Sequence, residues 1–356
     1  MAPDLIDRIA RFLGDPASDS FDDLALAAFR FQVERIEPYR RLCEGRGIDP
    51  DRIASWREVP LVPAAAFKTL ELAAAPAVET FRSSGTGGER SVHRHPFPDL
   101  YRQEIDASFP RFCLAPRQEN FDRPAMLSLV PSREQLPDSS LSFMIDHVLA
   151  RFSGPHSLTA VGPRGVEAAK ARSWAGARQR EGKPVLVLAT ALALDQWLAA
   201  LERLELRFRL PAGSAVFETG GFKGRATEIA REDLLARLEH RLGVPRGRVL
   251  REYGMTELTS QCYTEALAGG DPDLFVTPPW VRVRILDPET LAEAPAGIPG
   301  LLAIFDLANV GSAVHLLTQD LGTAEPGGFR LAGRAEGAEL RGCSLAAEEL
   351  ARVGSA

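Results

Sequence analysis

VLVLATALALDQWLAALERLE, residues 185–205, contains the change of period that decides the fold. Val185 to Thr190 is apolar at nearly every position, which is the signature of a strand covered on both faces. From Ala191 the apolar residues recur as Leu194, Trp197, Leu198 and Leu201, a helical stripe that predicts a helix over 191–205. The same unit repeats outward. Downstream lie the strand-like SAVFETGG (214–221), a helix at about 227–242 and the short strand VLREYG (249–254). Upstream lie the apolar run Ala125–Val130 and helices at 139–152 and 165–181. Strands alternating with helices predict a largely parallel sheet with helices on both faces, the α/β class.

Past residue 275 the character changes. WVRVRIL (280–286), GLLAIFDL (300–307), SAVHLLTQ (312–319) and GFRLAGR (328–334) alternate or run apolar, with Pro/Gly turns between them. That pattern predicts an antiparallel meander with no intervening helices. At the other end, residues 1–50 read as two amphipathic helices. Leu5, Ile6, Ile9, Phe12 and Leu13 line the first; Phe21, Leu24, Ala28, Phe29, Val33, Ile36 and Leu42 line the second. Residues 59–80 are rich in Pro and Ala and read as extended chain and turns.

Composition narrows the function classes. The 356 residues are 45% hydrophobic and 25% charged, enough for a substantial core. A net charge of -6 leaves no basic stripe for a nucleic acid. Cys43, Cys113, Cys262 and Cys343 are far apart, which fits reduced thiols in a cytoplasmic protein. Charged residues Asp4, Asp7 and Arg8 break the N-terminal apolar pattern, so it is not a signal peptide. The longest apolar stretch, Val185–Leu194, is too short to span a bilayer, and no membrane partner is expected.

Three motifs carry chemistry. Ser83-Ser84-Gly85-Thr86-Gly87-Gly88 combines small residues, whose N–H groups can converge on an anion, with hydroxyl donors. By itself the segment reads equally as a phosphate cradle or a plain surface loop. Tyr253-Gly254-Met255-Thr256-Glu257 follows a strand, where a carboxylate beside a hydroxyl can hold Mg²⁺ and a phosphate oxygen together; Glu257 opening a helix is the alternative. Gln319-Asp320-Leu321-Gly322, followed by Gly333-Arg334, offers a carboxylate for two ribose hydroxyls, or an Asp capping a turn. His93-x-His95 has ligand-capable spacing without a third partner and reads as a solvated strand or loop.

The order and spacing of these blocks, with FRSSGTGG, TGGFKGR, REYGMTEL and GRAEGAELRGCSLAAEEL, resemble the adenylate-forming superfamily of acyl-CoA synthetases and adenylation domains. The likeness is closest to the acyl-protein synthetase (LuxE-like) and phenylacetate-CoA ligase-like families and runs from about Val59 to Leu350. It implies a large adenylation domain with mixed sheets, divided at 1–210, with the phosphate loop, and 211–334, with the nucleotide motifs and meander. Residues 335–356 would form a short tail where longer synthetases carry a mobile C-terminal domain. It further implies ATP and Mg²⁺ as cofactors. Ser83 to Gly88 would wrap the β,γ-phosphates, and Gly220 and Gly221 would lie along the adenine. Tyr253 would contact the nucleotide, Thr256 the α-phosphate, Glu257 the metal and Asp320 the ribose, with Arg334 at the hinge. Cys343 would carry the acyl group as a thioester, a role that the nearby Arg341 favours by stabilising a thiolate; a buried structural cysteine in an apolar turn beside Leu345 is the alternative.

Two departures stand out. The family's loop ends in Pro-Lys, replaced here by Glu89-Arg90; Arg90 and Lys223 are the candidates for the missing cation, with a plain surface charge as the alternative for each. The last lysine is Lys223, so the catalytic Lys of the family's C-terminal domain has no counterpart. The expected substrate is a fatty or an aromatic carboxylic acid. The acceptor is Cys343 followed by a partner such as a reductase, or directly CoA or an acyl carrier protein. A partner-dependent nucleotide-binding or acyl-binding subunit is the alternative of another class.

Overall fold

The computed structural model describes residues 2–84, 89–114, 123–220, 230–335 and 350. The chain forms two compact units, each assembled from separated stretches of sequence. Residues 1–107, 255–261 and 276–356 make the first, and 108–254 with 262–275 make the second. Both interleave along the chain, whereas the 1–210, 211–334 and 335–356 division follows it linearly.

The second unit is the α/β portion. Its strands run in the order Cys262–Thr264, Val249–Tyr253, Ala215–Thr219, Val185–Thr190, Ala125–Ser128 and Leu158–Thr159. Only the first pairing is antiparallel. Val185, Val187 and Ala189 pack with Leu194, Trp197 and Leu201 of the helix Ala191–Arg203, with Trp174 of Ala168–Glu181, and with Leu234 and Leu238 of Arg231–Leu242. The opposite face presents Phe217, whose ring meets Phe109 at 6.1 Å and Tyr263 at 6.3 Å, while Phe109 stacks on Phe152 of the helix Ser140–Phe152. Covering on both faces is why the strand Val185–Thr190 has no polar alternation. The Thr190 hydroxyl caps the following helix by accepting the Ala193 N–H at 3.1 Å.

The first unit holds the meander. Val281–Leu286, Gly300–Asp306, His315–Glu325 and Gly328–Arg334 pair antiparallel in chain order. Val62–Pro63 adds a parallel pairing, Val62 opposite Leu316. Gly300–Asp306 is buried at every position. One side of this sheet packs Leu286, Leu301, Ala303 and Leu317 together. Another cluster joins Phe305, Trp56, Phe21 and His315 through edge-on and tilted ring contacts of 5.2–6.1 Å. The N-terminal region forms three helices, Ala2–Gly14, Phe21–Arg35 and Glu37–Gly45, rather than two. The stripe from Phe21 to Leu42 breaks at Ile36, which is extended (φ -104°, ψ 97°), because Pro38 has no N–H and cannot continue a helix from the preceding turn. Among the described residues no helix is long and apolar enough to cross a membrane.

His315 links this fold to pH. The ring is 1% exposed and its Nδ1–H donates to the Val59 carbonyl at 2.8 Å. Burial pushes its pKa down to about 3. The folded pKa lies below the unfolded value, so the contribution is complete above about pH 6.5 and is lost as pH falls toward 3. The loss amounts to about 1.4 kcal/mol per pH unit. Urea unfolding of wild type and His315→Gln should therefore show wild type losing about 2 kcal/mol relative to the variant between pH 7 and pH 5. Parallel stability curves over that range would refute it.

Candidate functional site

The site in the first unit begins with a hairpin, Glu79–Arg82 paired with Val92–His95. Alternation along these strands puts His93 opposite Phe81 and turns His93 and His95 to one face. Phe67 meets His93 edge-on at 5.5 Å, and Tyr101 stacks on His95 at 6.0 Å. Both histidines are buried, 0% and 2% exposed, where the sequence reading had them solvated. The burying partners come from distant stretches, so local pattern could not show it. Desolvation lowers the His93 pKa to about 4 and that of His95 well below its usual value, so both are neutral at pH 7.

The hairpin's far end carries the start of the Ser/Thr/Gly loop. Ser83 clasps it: the Ser91 N–H donates to Ser83 Oγ at 3.0 Å, and the Ser83 N–H to the Ser91 carbonyl at 3.1 Å. Arg90 folds its guanidinium onto the carbonyls of Arg82 (3.2 Å) and Ser83. Ser84 is exposed. Gly85, Thr86, Gly87, Gly88, Gly221, Lys223 and Cys343 lie outside the described residues.

The histidines reach residues 255–261. His93 Nδ1–H donates to the Thr256 carbonyl at 2.8 Å, and His95 Nε2 lies 2.9 Å from Thr259 Oγ1. Thr256 is half-buried and Glu257 is buried, 6% exposed. From the other side the meander supplies Asp306 and Asn309. Asp306 Oδ2 accepts the N–H groups of Thr259 (3.0 Å) and Ser260 (2.7 Å); Oδ1 accepts the Ser260 hydroxyl (2.7 Å) and the Ala308 N–H (3.0 Å). Asn309 Nδ2 donates to the carbonyls of Glu257 (3.0 Å) and Ala313 (2.8 Å), and its Oδ1 accepts the Thr259 hydroxyl (3.0 Å). None of His93, His95, Asp306 or Asn309 was singled out as functional from the sequence. A signal existed for the last two: Asp306 and Asn309 are polar residues inside the apolar run AIFDLANV, where a buried polar group needs partners.

Asp320 and Arg334 come together as a cross-strand pair. Asp320, 8% exposed, lies inside the long strand His315–Glu325 and not in a turn. The register slips at Leu321/Gly322, because Leu321 faces Gly333 while Gly322 faces Leu331. Gly333 has φ +123°, and a Cβ on Gly322 would lie 2.7 Å from the Arg330 carbonyl, so the bulge requires glycine on both strands. The exposed Arg334 then donates to Gln319 Oε1 at 2.7 Å.

In the second unit Gly220 and Tyr253 each follow one member of the register pair Thr219 and Glu252, at the carboxyl ends of adjacent parallel strands. Thr219 Oγ1 donates to the Glu252 carboxylate there, and Tyr253 packs edge-on to Phe275 at 6.1 Å. The structure thus gathers the sequence-derived residues into three groups: Ser83 with Thr256 and Glu257 through His93; Asp320 with Arg334; and Gly220 with Tyr253.

The chain is similar to known proteins. The family model for acyl-protein synthetase, LuxE, matches residues 178–351, which bears out the resemblance read from the motifs. The long-chain-fatty-acid–luciferin-component ligase of Aliivibrio fischeri is 22% identical over 307 residues, covering 85% of this chain and 78% of its own. The same-named ligase of Vibrio harveyi is 21% identical, covering 87% and 82%. Among solved structures, 2-hydroxyisobutyryl-CoA ligase in complex with 2-HIB-AMP and CoA aligns with a TM-score of 0.65 at 16% identity, over 88% of this chain and 74% of that one. ATP-bound MatB from Rhodopseudomonas palustris aligns with a TM-score of 0.51 at 16% identity, over 80% and 52%. The fold is that of the adenylate-forming ligases, as the α/β reading with its late meander expected.

Proposed function

We propose that this chain activates a long-chain fatty acid with ATP and passes the acyl group to a thiol, as an acyl-protein synthetase. The observation that carries the reading is the fastening of Thr256 and Glu257, by their own backbone carbonyls, beside the hairpin that presents Ser83 and Ser84. The same pairing of a hydroxyl–carboxylate dipeptide with a Ser/Thr/Gly loop marked the superfamily in the sequence. Both curated relatives are fatty-acid ligases by name, which supports the acid.

The chemistry has two halves. A carboxylate oxygen of the acid attacks the α-phosphorus of ATP, and the bond to the bridging oxygen breaks so that pyrophosphate leaves with the electron pair. A thiolate then attacks the acyl carbon and AMP departs. The loop from Ser83 to Gly88 receives the β,γ-phosphates, with Ser83 and Arg90 holding its base closed. Thr256 donates to the α-phosphate, Asp320 accepts from the ribose, and Arg334 sits at the hinge beside it. Gly220, Gly221 and Tyr253 serve the adenine and nucleotide. Arg90 already spends donors on two backbone carbonyls, which makes it a clasp for the loop.

The donor set suits Mg²⁺. Among the described residues no group of three or more His, Cys, Asp or Glu is placed to hold a metal. Mg²⁺ is commonly held by one or two carboxylates together with substrate phosphates, which is what Glu257 provides. When bound, the ion neutralises charge on the phosphates. Cys343 takes the acyl group and delivers it to an acyl-accepting protein such as a reductase. Cys43, Cys113 and Cys262 are buried thiols, and burial raises the Cys43 pKa to about 11, so it is a poor nucleophile.

ATP–pyrophosphate exchange across fatty and aromatic acids tests the first half. Exchange should depend on a long-chain acid and fall at least ~100-fold in Glu257→Ala, on the scale of losing one electrostatic stabiliser. No exchange with any acid would overturn adenylation. Labelled acid and ATP test the second half: label should remain on denatured wild-type protein and vanish in Cys343→Ser, while that variant still exchanges pyrophosphate. Label that survives the substitution assigns the acceptor elsewhere.

A further inference from the structure

We propose that His93 and Asn309 are positioning residues that together aim the Glu257 side chain. The inference rests on the metal-binding role given to Glu257 above, and it starts from peptide geometry. The peptide plane before the Glu257 Cα contains the Thr256 carbonyl, and the plane after it contains the Glu257 carbonyl. His93 Nδ1–H holds the first at 2.8 Å, and Asn309 Nδ2 holds the second at 3.0 Å. Fixing both planes fixes φ and ψ at Glu257, and with them the direction in which its Cα–Cβ bond leaves the chain. A side chain launched from a backbone held this way has less to reorganise when a cation arrives.

The hydrogen assignment admits one solution. Asn309 faces two carbonyls, Glu257 and Ala313, so its NH₂ group is on that side and Oδ1 is on the other, against the Thr259 hydroxyl. The Thr259 proton is committed to Oδ1, so the hydroxyl oxygen accepts from His95 Nε2–H at 2.9 Å. His95 therefore supports Asn309 through Thr259. Gln32 braces the backbone of Asn309 from the helix Phe21–Arg35, donating to the carbonyls of Asn309 (3.2 Å) and Val310 (3.0 Å) and accepting the Val314 N–H (3.2 Å). His93, His95, Asn309 and Gln32 are each no more than 2% exposed, so water does not compete for these bonds. Both histidines lie just after the Ser/Thr/Gly loop, and one hairpin therefore sets the loop's base and the aim of the carboxylate together.

Three variants separate aim from mere packing. His93→Leu removes the donor to Thr256, His93→Asn keeps an amide N–H where Nδ1 stood, and Asn309→Ala removes the donor to Glu257. The first readout is independent of activity: hydrogen–deuterium exchange by mass spectrometry on the peptide containing 255–261. His93→Leu should speed exchange there at least ~10-fold, one decade of protection, which matches a lost buried hydrogen bond. His93→Asn should restore most of it, and peptides from 185–220 should not change. The second readout is pyrophosphate exchange: His93→Leu and Asn309→Ala should lower kcat and raise the Mg²⁺ concentration for half-maximal rate about 10-fold, with KM for the acid within twofold of wild type. Wild-type protection of 255–261 in folded His93→Leu overturns the clamp, whatever the enzyme's activity. Wild-type protein that exchanges no pyrophosphate, with the clamp still seen by hydrogen exchange, removes the metal role and leaves the aim of the side chain intact. Loss of kcat together with an equal rise in the KM for the acid would overturn the positioning role in favour of general damage to the site.

Discussion

A carboxylate that water cannot reach must collect donors, and Asp306 is the residue on which this requirement falls. It is fully buried at the end of a strand that is itself buried throughout. Burial raises its pKa, and the donors from Thr259, Ser260 and Ala308 oppose that rise. A buried acceptor left without them would cost about 1–3 kcal/mol per lost partner, more for a charged group. The segment 255–261 thus has one place to lie, against the meander. Trp280 adds to the same knot by donating its indole N–H to Ser260 Oγ at 3.1 Å. The position of Thr256 and Glu257 follows from a polar requirement three residues away. Apolar packing around them contributes bulk, but the direction comes from the hydrogen bonds.

Much of this architecture could be read from the chain. Residues 185–190 are apolar without alternation, and they form a strand covered on both faces, with the bounds that the period change set. The meander was visible because its strands alternate or run apolar between Pro/Gly turns with no helical period among them. The second N-terminal helix was misjudged for a local reason: a continuous apolar stripe outweighed Pro38, which has no N–H to bond back into the preceding turn and so sits in the first turn of a new helix. The solvated reading of His93 and His95 failed for a non-local one. Imidazole spacing says nothing about whether Phe67, Tyr101 and Thr259 will close over the rings. Asp320 lay between two readings because a Gly two residues later suggests a turn; in the fold that Gly serves a bulge inside a long strand.

The bulge and the clamp illustrate two ways of placing a functional side chain. At Asp320 and Arg334 the backbone is reshaped, with glycine on both strands, and the pair lies beyond the slip in register. At Glu257 the backbone is held by side chains that donate to it. The first device tolerates no added Cβ at Gly322 without moving the Arg330 carbonyl. The second depends on neutral imidazole and carboxamide groups kept dry.

The interleaving of the two units also sets an order of events during synthesis. Every stretch of the second unit has been made once residue 275 is added, whereas the first unit lacks its sheet until the meander follows. Gln32 meets Asn309 and Val314 across 277 and 282 residues, and Val62 pairs with Leu316. At about 5–20 residues per second, the helices of the first hundred residues wait on the order of 10–40 s for the strands they will cover. During that interval their apolar faces lack the strands that will cover them. A newly made chain is therefore born from its middle outward, with its beginning held in suspense until its end arrives.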